Sequence, residues 1–183
     1  MPPRPQDKAG NSGGRISLLD GIIIIHDAPH GVHLPSQYAG MLREMYASRG
    51  LSREFRDETG PTAACTCSVQ NMDTASLVKM TVYEPGIDFD AQLERMARDF
   101  PGRHVSQLVL PLWRPGMTHA VDTARQAGFF LGGLLPLWDG KDALLMQKIA
   151  TPPDFSKIQL HHRESRSLLD WILADRASLP SPA

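Results

Sequence analysis

The sequence predicts an α/β domain with a mixed, mostly antiparallel central sheet and helices on both of its faces. Strand-like runs alternate along the chain with amphipathic helical runs, and two pairs of strands are joined by short connections typical of hairpin turns. The chain has 183 residues, 42% of them hydrophobic, which is enough for one well-buried core and too little for two ordinary domains. We therefore expect a single domain.

The two ends of the chain differ in composition from its middle. Residues 1–14 are rich in Pro, Gly and charged residues and lack apolar periodicity, which is typical of a disordered leader. Residues 178–183 have the same character and predict a disordered tail. The single domain should then span 15–177, including a helix at its C-terminal end.

The first elements are predicted from β-branched runs and helical spacing. The run Ile22–Ile25 is of the kind found in a strand buried on both faces, and Gly31–Leu34 can add a short extended piece. Pro35 suits a first helical turn, and Gly50 suits a stop. Between them the apolar residues recur at helical spacing, which predicts an amphipathic helix; these residues are Tyr38, Met41, Leu42 and Met45.

The middle of the chain predicts an antiparallel strand pair followed by a helix. Ala63–Gln70 and Ala75–Tyr83 are extended runs, and residues 71–74 between them have the composition of a hairpin turn. Asp88 can cap the helix that follows, whose apolar stripe ends at Phe100.

The second half repeats the alternation and closes with another hairpin. Gly128 is placed to end a helix in the left-handed conformation. The predicted elements are a strand over Val105–Leu112, a helix over Met117–Gln126, paired strands over Phe129–Leu135 and Asp142–Ile149, and a last helix over Arg163–Arg176 that buries Leu168, Leu169, Ile172 and Leu173.

Charge and hydropathy argue against two classes of partner. A formal net charge of −1 gives no overall field to hold nucleic acid or an anionic membrane. The longest apolar run, Gly21–Ile25, is far shorter than the ~20 residues that cross a bilayer, and the N-terminus has no signal-peptide pattern. We expect a soluble, cytoplasmic protein.

The stretch Ala124–Ile149 carries a resemblance to a known family. Its helix ends at Gly128-Phe129 and is followed by a strand hairpin, and in this it resembles the end of a GNAT N-acetyltransferase domain. The order of elements over Gly21–Ile149 is also similar to that family. Val32–Gly50 resembles the opening strand and helix of GNAT-like domains in larger bacterial proteins, so the chain looks like a divergent bacterial member.

The resemblance implies a function as an acyl-coenzyme A-dependent N-acyltransferase. In that family two parallel strands, here Ser76–Tyr83 and Val105–Leu112, splay apart and admit the pantetheine arm of acetyl-coenzyme A or another acyl-coenzyme A. Glu84, at the end of the first strand, would be the base for an acceptor amine, either a small molecule or a protein. The residues that would bind the cofactor through their backbone are Lys79, Met80, Thr81, Val82 and Tyr83.

Two differences from the family pattern favour a second hypothesis. Residues 83–89 contain one glycine, a proline and two carboxylates, where the family has a glycine-rich phosphate loop. Ala124 stands where the family often has the Tyr that protonates the thiolate. The alternative is therefore a catalytically inactive ligand-sensing or protein-interaction module, as a homodimer or as part of a larger multidomain protein.

The remaining candidates have structural interpretations that compete with chemistry. His26, His30 and His33, with Asp27, could ligate zinc, but Pro29 and Gly31 mark a turn without metal-ligand spacing, so no metal is expected.

Two further groups of residues also have competing interpretations. Cys65 and Cys67 could form a nucleophile pair or half of a redox or metal site, but small residues on one strand face explain them more simply. Trp113, Arg114 and Trp138 could frame a pocket or cover the edge of the core.

Overall fold

The computed structural model describes residues 22–151, 154–155 and 158–180. The predicted leader at 1–14 lies outside the described residues, and so do 15–21 and the end of the predicted tail at 181–183. The elements in chain order are β1 (His30–His33), α1 (Ala39–Ser48), β2 (Arg53–Arg56), β3 (Thr66–Met72), β4 (Leu77–Glu84), α2 (Phe89–Asp99), β5 (Val105–Pro111), α3 (Met117–Gln126), β6 (Phe130–Leu135), β7 (Ala143–Ile149) and α4 (Arg163–Ala177).

The main sheet has five strands in the order β3-β4-β5-β7-β6. β4 and β5 are parallel, whereas the pairs β3/β4, β5/β7 and β6/β7 are antiparallel. A parallel pair needs a crossover, and α2 supplies it between β4 and β5. The prediction of an α/β fold with a mixed, mostly antiparallel sheet is confirmed.

Both predicted hairpins are present, but the first strand begins at Thr66 and not at Ala63, and the turns shift by a few residues. β3 and β4 pair through Met72 and Leu77, so the chain reverses in a short 3-10 turn over Asp73–Ala75 and not at 71–74. Gly128 ends α3 with a φ of 86°, which is the left-handed conformation expected of a glycine after a helix.

A second, two-stranded sheet is formed by β1 and β2, which pair in parallel and are connected in the chain by α1. The sequence does not predict β2, because Arg53–Arg56 contains only one apolar residue, Phe55. α1 also begins later than predicted: residues 36–38 form a turn after Pro35, and the helix starts at Ala39.

The prediction of a buried strand over Ile22–Ile25 is wrong. These residues form no strand, and the side chains of Ile23 and Ile25 are 90% and 89% exposed. β-branched residues favour a strand only where a neighbouring strand and a packed face are available. The first strand with a partner in the described residues is instead β1, which pairs with β2.

The hydrophobic core is divided by the main sheet. Side chains of a strand alternate between the two faces, and Leu108 and Leu110 of β5 belong to the larger cluster while Val109 belongs to the smaller one. α1, α2 and α3 all contribute buried residues to the larger cluster. The smaller cluster consists of Val109, Leu135 and Ala143, with Leu145 packed against it.

The last helix is attached to the domain by a buried carboxylate. Its predicted apolar residues are only half-buried, whereas Asp175 is 7% exposed. Asp175 accepts hydrogen bonds from the hydroxyl of Tyr38 (2.8 Å), the backbone N–H of Leu131 (2.7 Å) and the guanidinium of Arg125. This cluster joins α4 to α3, to β6 and to the start of α1. None of the described helices is long and apolar enough to span a membrane.

Candidate functional site

The candidate site lies where the parallel strands β4 and β5 separate. Their register pairs Leu77 with Val105 and continues to Thr81 with Val109, but β4 runs on to Glu84 and β5 to Pro111. α2 and α3 begin a few residues beyond these ends. We call this region the mouth: Val82–Glu84, the end of β5, and the N-termini of α2 and α3. Open α/β sheets bind ligands at such strand ends.

The five predicted cofactor-binding residues fall on both sides of the point of separation. Lys79, Met80 and Thr81 are paired with β5 as well as with β3, so their backbone groups are within the sheet. Val82 and Tyr83 have no register partner on β5. Val82 is buried in the larger core, while Tyr83 is 46% exposed and its hydroxyl lies 2.9 Å from the Ser68 hydroxyl.

Glu84, the predicted base, lies at the mouth and is partly exposed. Its carboxylate Oε2 lies 3.1 Å from Nε of Arg114, and 33% of the Glu84 side chain is exposed. Arg114 follows the end of β5, so the ion pair bridges the two strands where they diverge. The sequence pointed to Arg114 as a neighbour of Trp113, and gave no signal that it would meet Glu84.

The start of α2 is already engaged by another segment of the chain. Asp88 precedes this helix as predicted, but its carboxylate accepts the N–H of Cys65 (2.6 Å) and the Gln92 side-chain amide (3.2 Å), and it does not cap the helix. These two hydrogen bonds hold the pKa of Asp88 below its usual value. In addition, the Ile87 N–H donates to the carbonyl of Ala63 (3.0 Å).

The start of α3 is engaged by Glu58. One carboxylate oxygen of Glu58 accepts the backbone N–H groups of Gly116 (2.6 Å) and Met117 (2.7 Å). A helix N-terminus favours a negative charge because its first N–H groups have no partner within the helix. The second oxygen, Oε2, is buried without a hydrogen-bond partner. Burial raises the pKa of Glu58, although the two backbone hydrogen bonds oppose that rise.

Residues 57–65, which we call the strap, connect β2 to β3 and contact both helix starts. Glu58 binds the start of α3, and Ala63 and Cys65 bind the residues that precede α2. Pro61, between these two ends of the strap, lies beside Gly116. The strap therefore crosses the mouth. The sequence predicts a strand from Ala63 and gives no sign of the strap, because the contacts of the strap join residues far apart in the chain.

The two cysteines are part of the same region and form no disulfide. Cys65 and Cys67 are partly buried and pack against the larger core. Burial, together with the neighbouring Cys67, raises the pKa of the Cys65 thiol to about 12. Cys65 is thus a protonated thiol at neutral pH, which is a poor nucleophile.

The imidazoles of His30 and His33 each lie against a backbone carbonyl group, not around a common point where a metal ion could bind. Nδ1 of His30 lies 2.6 Å from the Ala28 carbonyl, and Nδ1 of His33 lies 2.8 Å from the Asp57 carbonyl. Asp27 binds Arg53 at 2.6 Å. Within the part of the chain that the structure describes, no group of His, Cys, Asp or Glu side chains is placed to hold a metal ion.

The two tryptophans differ in exposure, since Trp113 is half-buried and Trp138 is exposed. Trp138 is 52% exposed, and the ammonium group of Lys79 lies 5.8 Å from the centre of its ring. Arg114 pairs with Glu84, as described above.

Two cavities lie away from the mouth: one of about 560 Å³ between α1 and β2, and a groove of about 480 Å³ between α2 and α3.

Comparison of the chain with family models, with curated proteins and with solved structures gives no match. The fold and the site together define an α/β protein whose one parallel strand pair, among the described strands of the main sheet, opens towards the N-termini of two helices. Its function is therefore inferred from the residues of that opening.

Proposed function

We propose that the chain is an acyl-coenzyme A-dependent N-acyltransferase domain of the GNAT type. The separation of β4 from β5 beyond Thr81 and Val109 is the observation that carries this proposal. It leaves Val82–Glu84 without a strand partner on the β5 side, and an extended ligand can bind such a backbone as a neighbouring strand would. The acceptor is an amine, on a small molecule or a protein.

The residues at the mouth fit one part of acyl-coenzyme A better than the other. The pantetheine arm suits the backbone of Val82 and Tyr83, and Lys79–Thr81 would support that stretch from within the sheet. The pyrophosphate does not fit the start of α2, because the Asp88 carboxylate is there and the Ile87 N–H is already bound to Ala63. We therefore assign no step to a phosphate loop.

Glu84 is the residue that we propose as the base. Its carboxylate would accept the proton that an amine loses when it attacks the acyl carbon. Arg114 would hold that carboxylate at the mouth through the 3.1 Å contact. The helix position at which the family often has a Tyr is Ala124, which is fully buried, so no side chain there donates a proton to the leaving thiolate.

Acyl transfer from acetyl-coenzyme A to a panel of primary amines and lysine peptides tests this proposal. We expect turnover by the unmodified chain and a loss of about 100-fold in Glu84→Gln, which keeps the shape but cannot take up a proton. Glu44→Gln, a change at an exposed residue of α1, is the control and should leave turnover unchanged. Equal turnover in the Glu84 and Glu44 variants would exclude Glu84 as the base.

A second candidate function is a non-catalytic ligand-sensing or protein-interaction module, as a homodimer or within a larger cytoplasmic multidomain protein. The engagement of both helix starts by the strap favours it, because those N–H groups are unavailable to phosphate. The two candidates differ in turnover. A chain that binds acetyl-coenzyme A without transferring its acyl group to any amine would support the sensing module.

A further inference from the structure

The strap is held at the mouth by a small number of polar contacts at its two ends. At one end Glu58 accepts two backbone N–H groups of α3, and at the other the Cys65 N–H and the Ala63 carbonyl bind Asp88 and Ile87 of α2. Most residues of the strap are exposed: Asp57, Thr59, Gly60, Thr62, Ala63 and Ala64. A segment with so little buried apolar surface can open without unfolding the core.

Glu58 is the contact on which this arrangement most depends. Its carboxylate is the only acidic side chain that the described structure places on the first N–H groups of α3, and this end of the strap also has the contact of the Asp57 carbonyl with Nδ1 of His33 (2.8 Å). The buried oxygen Oε2 has no partner, so half of the carboxylate is desolvated without compensation. The contact is therefore specific in geometry, because two short backbone hydrogen bonds converge on one oxygen of Glu58 while the other oxygen is left without a partner.

The opposite end is fitted to the backbone of the α2 start. Gly86 lies so close to Ala64 and Cys65 that a Cβ atom at this position would overlap their backbone atoms. Close backbone approach of this kind is a common reason for a glycine. Strap and mouth are thus complementary at both ends, across the gap where β4 and β5 diverge.

We propose that the strap is an autoinhibitory cover, with Glu58 as its latch, which must leave the mouth before a ligand can enter between β4 and β5. The cover and the ligand compete for the same opening. The identity of that ligand as acyl-coenzyme A rests on the proposed function, but the opening of the strap does not. Weakening the latch should therefore increase ligand affinity without adding any contact to the ligand.

Hydrogen exchange of the full chain tests the opening by itself. In Glu58→Ala, the amides of Gly116 and Met117 should exchange at least about tenfold faster than in the unmodified chain, because they lose a charged acceptor. The amides of Cys65 and Ile87, at the far end of the strap, should also exchange faster. Glu54→Ala, at an exposed glutamate of β2, should change none of the four. Faster exchange confined to Gly116 and Met117 would show that the strap does not open as a unit, and would overturn the proposal.

Calorimetric titration with acetyl-coenzyme A tests the competition. We expect affinity to rise by about fivefold or more in Glu58→Ala and partially in Glu58→Gln, with no change in Glu54→Ala. Equal affinities in a chain whose strap has been shown to open would refute the autoinhibitory role. If no variant binds acetyl-coenzyme A although the four amides exchange faster, the proposed function fails while the opening of the strap is established.

Discussion

Asp175 is one of two buried carboxylates in the described structure that bind a buried arginine, the other being Asp142, which binds Arg53. Asp175 is almost fully buried on a helix whose apolar residues are only half-buried, and it accepts from Tyr38, Arg125 and Leu131. The sequence predicts attachment of this helix through its apolar residues Leu168, Leu169, Ile172 and Leu173. A single Asp near the end of an amphipathic helix gives no sign of burial, because its partners come from three distant segments.

Replacing Asp175 with Asn should destabilise the domain by about 3 kcal/mol, because the Arg125 guanidinium would remain buried without its counter-charge. Urea denaturation of the two proteins measures the difference. Asp170→Asn, at an exposed position of the same helix, is the matched control and should change stability little. A loss no larger than that of the control would mean that α4 is held mainly by its apolar contacts.

Asp88 predicts a pH dependence at the α2 end of the strap. The hydrogen bonds from Cys65 and Gln92 hold the pKa of Asp88 below its ordinary value of 3.8. The ionised carboxylate therefore stabilises the folded chain above pH 3.8, and this contribution is lost as the pH falls through the lowered pKa. The measured quantity is the protection of the Cys65 amide in the unmodified chain divided by its protection in Asp88→Asn. This ratio should be constant from neutral pH to about 4 and should decline below that.

Measuring this protection ratio from neutral pH down to the acid limit checks the expectation. A protection ratio that stays flat down to the acid limit would show that the Asp88 charge does not hold the strap. A ratio that declines already near neutral pH would point to another titrating group.

Some residues of the site could be predicted and others could not. Glu84 and Asp88 were placed at a strand end and a helix start from local patterns alone, and the structure has them there. Their partners, Arg114 and Cys65, are brought to them by the sheet and by the strap. Such pairings depend on tertiary geometry, which one sequence does not contain.

At the scale of elements, Gly86 is the position where the strap and α2 depend on each other. Alanine at this site would place its Cβ on the backbone of Ala64 and Cys65, so the α2 end of the strap has to move. Gly86→Ala should therefore cost about 1–3 kcal/mol and increase hydrogen exchange at the Cys65 and Ile87 amides.

Gly60→Ala is the natural control for that substitution. Gly60 lies in the strap, but a Cβ atom there would meet nothing within 4 Å. This variant should keep the stability and the exchange pattern of the unmodified chain. Equal effects of the two alanines would mean that flexibility of the strap, and not contact at Gly86, is what matters.

Elements with strong local patterns were predicted well, and those that depend on a partner were not. α2, α3 and the β6/β7 hairpin have clear apolar periodicity or turn signals and agree with their predictions within a residue or two. β2 is mostly charged and is a strand because β1 pairs with it, whereas Ile22–Ile25 has strand propensity without a strand. Propensity decides only when packing allows it.

At the scale of the whole molecule, the order of elements was enough to predict an α/β fold with a mixed sheet. Short connections imply antiparallel neighbours, and a helix between two strands implies a parallel crossover. The insertion of β7 between β5 and β6 does not follow from these rules, since it depends on which edge of the sheet the last hairpin covers. The strap across the mouth is likewise a property of the assembled fold.

The most direct test of the proposed function is to locate acetyl-coenzyme A on the full chain. A calorimetric titration, followed by hydrogen exchange at saturation, measures both affinity and position. We predict micromolar or tighter binding, with new protection at Val82–Glu84 and faster exchange at Cys65 as the strap leaves. No heat of binding at millimolar acetyl-coenzyme A, or protection confined to residues away from the ends of β4 and β5, would contradict it.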